Sequence, residues 1–189
     1  MYESENAHGE NDAVLKIARA LIIIAQWGLI LASAALVIMI PCLFIFSGPI
    51  LGAVGDLLVE QPDMPAIFMM AALLVMCLVV AGLTYFAFNR LRRIVESVRQ
   101  GDPFIPINGV RLRGMGLAVL AIQLFGFAAT MIATALVALL GEWKPSADVN
   151  LGMESGISLS GILLGLLLIV LARVFDRGAA MREDLEGTV

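Results

Sequence analysis

Arg90, Arg92, Arg93, Arg99, Arg111 and Arg113 crowd into positions 90–113, where only Glu96 and Asp102 oppose them. A guanidinium stays protonated at physiological pH, and its planar fork of donors matches carboxylate and phosphate. The chemistry open to such a cluster is electrostatic docking, either of anionic lipid headgroups or of an acidic soluble partner. Direct nucleic-acid binding is not expected, because so short a segment holds no reading module. Other reactive side chains are scarce. Cys42 and Cys77 lie in apolar surroundings without a neighbouring His or Cys at ligand spacing, and the single histidine, His8, sits in a polar N-terminal segment. Neither thiol suggests a metal site. The chain has no Walker loop, HExxH, GxSxG or nucleotide-binding glycine fingerprint, so no catalytic residue, metal or cofactor is expected and the chain reads as non-enzymatic.

The elements that must position these arginines follow from composition. Of 189 residues, 60% are hydrophobic and 15% charged, and the mean hydropathy is +0.96. A soluble domain carries about 25% charged residues, so this is the composition of a membrane protein. It argues against a disordered chain, a disulfide scaffold and a free nucleic-acid binder. Apolar runs long enough to cross about 30 Å of hydrocarbon predict four transmembrane helices, at about 20–46, 66–88, 114–140 and 157–175. Helices are expected over barrel strands because none of the runs alternates. Ala32-Ser33-Ala34 imitates a signal-peptide cleavage site, but the run continues through Leu36 to Ile40, so the first span is expected to remain.

Eleven of the twelve Lys and Arg residues fall on one side of these spans, with Lys144 alone on the other. The positive-inside rule then places both termini and the central loop, 89–113, in the cytoplasm. Residues 1–12 read as a polar, mobile segment and 176–189 as a cytoplasmic tail with Met181 and Leu185 on one face of a short surface helix. Apart from Arg173 near the inner end of the fourth, where its long stem can reach the interface, the spans contain no Asp, Glu, Lys, Arg or His, which counts against a proton-coupled pump or voltage sensor. Gln26, Gln123, Thr84, Thr130 and Thr134 are expected to bond between helices or back to a helix carbonyl. The alternative, a small permease or channel component, would route a solute past Gln123 and the threonines. Gly126, Thr130 and Thr134, and likewise Gly161 and Gly165, recur every four residues. Such stripes serve packing within the bundle, the favoured reading, or a homo-oligomer.

Within the central loop, Leu91, Ile94, Val95 and Val98 keep helical spacing, which predicts that the second span continues into the cytoplasm as an amphipathic helix. Gly101 suits the left-handed position after a helix end, and Pro103 prevents continuation. Phe104-Ile105-Pro106-Ile107 is expected to be extended and to tuck against the bundle, with Asn108 capping the next helix.

Gly101-Asp-Pro103-Phe104, then Asn108, Arg111-Leu112-Arg113 and Gly116, resembles the signature of the bacterial membrane family catalogued as domain of unknown function 2975. The ending Phe175-Asp-Arg-Gly178-Ala-Ala-Met181-Arg-Glu183, closing on Thr188-Val189, is similar to that family's C-terminal motif, with Met181 where Leu is commoner. The resemblance implies a small four-helix protein of the bacterial inner membrane with no assigned activity. Its members are often encoded beside a short helix-turn-helix transcription regulator. It therefore implies a regulatory protein that holds such a regulator at its cytoplasmic surface. Arg92, Arg93, Arg99, Arg111 and Arg113 would make the electrostatic contact, while Gly101, Pro103, Phe104 and Asn108 shape the loop.

Overall fold

In the computed structural model, residues 2–56, 64–140 and 157–186 are described, with side chains described over 15–56, 64–140 and 157–184. Five helices account for nearly all of them: α1 (Tyr2–Ile45), α2 (Ser47–Gly55), α3 (Met64–Arg99), α4 (Pro106–Leu140) and α5 (Leu159–Glu186). There is no strand among the described residues. Four of the five are long and apolar enough to cross a membrane, α2 being the exception. The four predicted spans are thus present: the second and third lie inside longer helices, the first runs one residue past the end of α1, and the fourth starts two residues before α5.

The expected continuation of the second span as a longer helix is present, because α3 runs without a break to Arg99. The fourth span likewise continues as α5 through the segment read as a tail. α1 begins at Tyr2, so the backbone is helical through the N-terminal stretch read as mobile. The short helix α2 was not foreseen from Ser47-Gly48-Pro49, which reads as a turn. Proline at the third position of a helix costs no hydrogen bond, since the first four amides have no partner inside the helix. Pro49 therefore allows α2 to start at Ser47, after Phe46.

The chain divides into two compact units, one of Met1–Ile30, Leu83–Ala121 and Leu159–Val189, the other of Leu31–Gly82 and Ile122–Ser158. In the first, Ile94, Leu112, Met115 and Ala172 form a buried cluster backed by Leu91, Leu168 and Phe175. In the second, Leu43, Ile67 and Ala71 pack with Leu74, and Ala66, Leu136 and Leu140 pack with Met69 and Leu73. Much of the large apolar surface faces outward: Leu21, Ile24, Leu31, Phe68, Leu124, Leu163 and Leu167 are all more than half exposed or nearly so. In water such a surface would drive aggregation, whereas lipid tails solvate it. Glu60 and Asp63 between α2 and α3, and Glu142, Trp143, Lys144, Asp148 and Glu154 between α4 and α5, lie outside the described residues.

Candidate functional site

The site is built at the junction of α3 and α4, within the first unit. α3 ends in a Schellman motif: the Gly101 amide donates to the Val98 carbonyl (3.0 Å) and the Asp102 amide to the Ser97 carbonyl (3.1 Å). Gly101 takes φ +81°, the only positive φ among the described residues, as its sequence position predicted. Only residues 102–105 are then free of helix or turn, and Pro106 opens α4. The expected extended segment is shorter than foreseen because Pro106, lacking an amide hydrogen and with φ already set, is well suited to the first helical position. Most of the expected 89–113 loop is therefore the two facing helix ends.

Asn108 corrects the sequence reading. It lies inside α4 and does not cap it; it is fully buried, and its Nδ2 donates to Ser97 Oγ (2.7 Å) and to the Pro103 carbonyl (2.9 Å). Its Oδ1 accepts from Arg111 (2.9 Å), and Ser97 Oγ in turn donates to the Ile94 carbonyl (2.8 Å). One amide thus ties the end of α3, the connection and the start of α4 into a satisfied buried network.

The end of α5 braces this junction. The Phe104 ring meets the Phe175 ring at 5.3 Å between centroids, and it lies over Gly178, where a Cβ would come within 2.7 Å of it. Arg113 donates to Asp176 (2.8 Å), while the other Asp176 oxygen packs on Gly109, where a Cβ would displace it. Arg182 pairs with Asp102. Deeper in this unit, Gly116 and Gly165 allow α4 and α5 to approach closely, a Cβ on Gly116 meeting the Gly165 carbonyl at 2.7 Å. Asp176, Gly109 and Ser97 were not singled out from sequence, and Gly178 entered only as part of the C-terminal motif, because their roles depend on which helix faces which. Gly165 of the small-residue stripe packs within the chain, as favoured, whereas none of the described atoms lies within 4 Å of a Cβ on Gly126.

The arginines separate into two sets. Arg99 donates to Glu96 (2.7 Å), which also pairs with Arg19 of α1 (3.0 Å), and Arg113 is held by Asp176. Glu96 lies beyond the apolar run of α3; the Arg99 hydrogen bond, opposed by partial desolvation and aided by Arg19, holds its carboxyl below the usual range. Arg111 donates to the Arg93 carbonyl (3.2 Å) and to Asn108. Arg90 donates to the Val110 carbonyl (3.2 Å) and lies over the Phe86 ring, 4.3 Å from its centroid. Arg92 and Arg93 are exposed, and neither they nor Arg90 and Arg111 have a carboxylate within 4.0 Å among the described residues.

The polar residues of the spans behave as helix glue. Thr130 donates to the Gly126 carbonyl (3.1 Å) and Thr134 to the Thr130 carbonyl (2.9 Å), while Gln123 Oε1 accepts from the Ser158 amide (3.2 Å). Gln26 is 5% exposed, and its Nε2 finds no hydrogen-bond partner among the described residues. Cys77 is exposed on the protein surface, and Cys42 is half-buried. No group of three or more His, Cys, Asp or Glu that could hold a metal occurs among the described residues.

Four long apolar helices with outward-facing aliphatic surfaces define an integral, multi-pass membrane protein. The chain belongs to the family described as "Protein of unknown function (DUF2975)", whose model matches residues 52–189. No curated protein and no solved structure matches the chain. The matched region takes in both motifs, and the contacts above bring them together: Phe104 meets Phe175 and Gly178, Asp102 meets Arg182, and Arg113 meets Asp176.

Proposed function

We propose that this is a non-enzymatic regulatory protein of the bacterial inner membrane, with both termini cytoplasmic, that docks a small helix-turn-helix transcription regulator. The observation that carries the reading is the pair Arg92 and Arg93: both are exposed and without a carboxylate among the described residues, on a helix end fixed by the buried Asn108 network. A rigid, uncompensated basic surface favours an acidic partner, because little conformational entropy is lost when it is engaged. Arg99 and Arg113 contribute less, since each already serves a carboxylate of its own chain. Gly101, Pro103, Phe104 and Asn108 act through the shape of the junction. The permease reading is weakened by the threonines, whose hydroxyls donate to carbonyls of their own helix.

The test is capture, by the detergent-solubilised protein, of a helix-turn-helix regulator encoded beside its gene. Wild type should retain it, Arg92→Glu combined with Arg93→Glu should release it, and salt should weaken the complex. No capture by wild type, or equal capture by the variant, overturns the proposal. A reporter fused at each terminus checks the orientation, and a periplasmic signal at either end would remove the cytoplasmic surface the reading needs.

A further inference from the structure

Arg90, Arg93 and Arg111 line one recess of about 340 Å³, together with Phe86, Ile107 and Val110. Its position is set by sequence: Phe86 belongs to the last turn of the apolar run in α3, and Arg111 stands just before the apolar run of α4. The recess therefore straddles the boundary between hydrocarbon and headgroups, with aliphatic and aromatic walls beside three guanidiniums.

Two of those guanidiniums are held by neutral groups. Arg90 is fixed by the Val110 carbonyl and the Phe86 ring, and its guanidinium packs on Gly114, where a Cβ would lie 2.8 Å from it. Arg111 is fixed by the Arg93 carbonyl and Asn108 Oδ1. The Arg93 guanidinium has no protein partner among the described residues. Carbonyls and a ring orient a cation but leave its charge intact, so three positive charges share one recess with no carboxylate of the described residues paired to them. Burial, then the nearby Arg93 and Arg90, lower the proton affinity of Arg111, the sign expected where like charges crowd. Such an arrangement is favourable only when an anion occupies it, and a tetrahedral phosphate offers oxygens to several guanidiniums at once.

We infer that this recess is a binding site for the phosphate of an anionic phospholipid, with Arg90, Arg93 and Arg111 around the phosphodiester and Phe86, Ile107 and Val110 against the glycerol and upper acyl chain. The apolar wall favours a lipid over free phosphate, because inorganic phosphate gains nothing from Phe86 or Ile107. The site shares Arg93 with the docking surface proposed above, but Arg90 and Arg111 belong to it alone and lipid retention is read without any soluble partner, so the two proposals can fail separately.

Native mass spectrometry of the full chain released from detergent tests it, with phosphatidylglycerol and phosphatidylcholine added in parallel and inorganic phosphate as competitor. Wild type should retain one phosphatidylglycerol in preference to phosphatidylcholine. Arg90→Gln combined with Arg93→Gln should weaken that retention by roughly tenfold or more, each basic residue at the surface contributing a few-fold, while Arg177→Gln should leave it unchanged. Should the double variant fail to fold by circular dichroism, Arg93→Gln alone serves, since that guanidinium supports no protein contact among the described residues, and Arg93→Lys should restore part of the binding. Equal retention of the two lipids by wild type, or equal phosphatidylglycerol retention by wild type and the Arg93 variant, overturns the proposal. Displacement of the lipid by millimolar phosphate assigns the recess to a free anion and overturns it as well.

Discussion

Asn108 Nδ2 donates to Ser97 Oγ across the α3–α4 junction at 2.7 Å, with both residues buried. The contact joins two helix ends whose sequence positions are eleven apart. Asn108→Ala leaves the Pro103 carbonyl without its Nδ2 donor and removes an acceptor from Arg111. The expected cost is about 1–3 kcal/mol, the penalty for burying unsatisfied groups. Ser97→Ala should cost less, and the double variant should cost less than the two together, because both remove the same bond. Thermal melts in detergent measure this, and strict additivity would mean that the bond carries no coupling.

Gly101 at φ +81° closes the Schellman motif. Gly101→Ala should destabilise the protein by about 1–2 kcal/mol, the cost of a left-handed backbone with a Cβ. Gly101→Asn should be milder because asparagine tolerates that region. There is open space around the position, so the effect is conformational rather than steric. Equal melting points for all three proteins would contradict this account.

Gly116 and Gly126 look alike in sequence, both glycines in the apolar body of α4, yet they differ in what they face. A Cβ at Gly116 meets the Gly165 backbone carbonyl and Ile169 at 2.7 Å, whereas none of the described atoms lies within 4 Å of one at Gly126. Gly116→Ala should cost about 1–3 kcal/mol through overpacking, and Gly126→Ala should be neutral or slightly stabilising. Gly165→Ala should fall between them, since its Cβ first meets the flexible end of Leu120. The order of the three melting points is the readout, and a different order would place the helix crossing elsewhere.

Local signals in the sequence are enough to find the spans, the Schellman glycine and the arginine cluster. Hydrophobic runs, a glycine after a helical pattern and charge counts each depend on neighbours along the chain. The bracing of the junction depends on neighbours in space, and was not legible in the same way. Nothing near Asp176 in sequence marks it as the partner of Arg113, and Asn108 has the residue type of a helix cap while serving as a buried crosslink. The split of the arginines into paired and unpaired sets also needed the positions of Glu96 and Asp176 relative to α4 and α5.

Arg113 and Asp176 form a half-exposed ion pair, and such pairs are worth about 0–1 kcal/mol. Arg113→Ala should therefore be mild. Gly109→Ala should be worse, because the Asp176 carboxylate occupies the space its methyl would need. The charge-reversed pair, Arg113→Asp with Asp176→Arg, should fail to restore stability, since an arginine at 176 cannot fit against Gly109 as the shorter carboxylate does. Full rescue by the reversed pair would show that charge, and not fit, governs this contact.

Glu96 gives the molecule a pH dependence whose sign can be worked out. Its folded pKa lies below the ordinary value of 4.5, first because Arg99 donates to it and further because Arg19 attracts it. A carboxyl with a depressed folded pKa stabilises the folded state fully above its unfolded pKa and loses that contribution as pH falls through the folded value. Between neutral pH and the ordinary glutamate range the melting temperature should feel no change from Glu96. Below that range, wild type should lose stability more steeply than Glu96→Gln, which has no proton to gain there. Arg99→Ala should flatten the wild-type slope more than Arg19→Ala, because the hydrogen bond outweighs the charge of Arg19 in lowering the pKa. Parallel melting curves for wild type and Glu96→Gln across the acid range would mean that the carboxylate makes no favourable contact in the folded protein, and the tie between α1 and α3 would then have to rest on apolar packing alone.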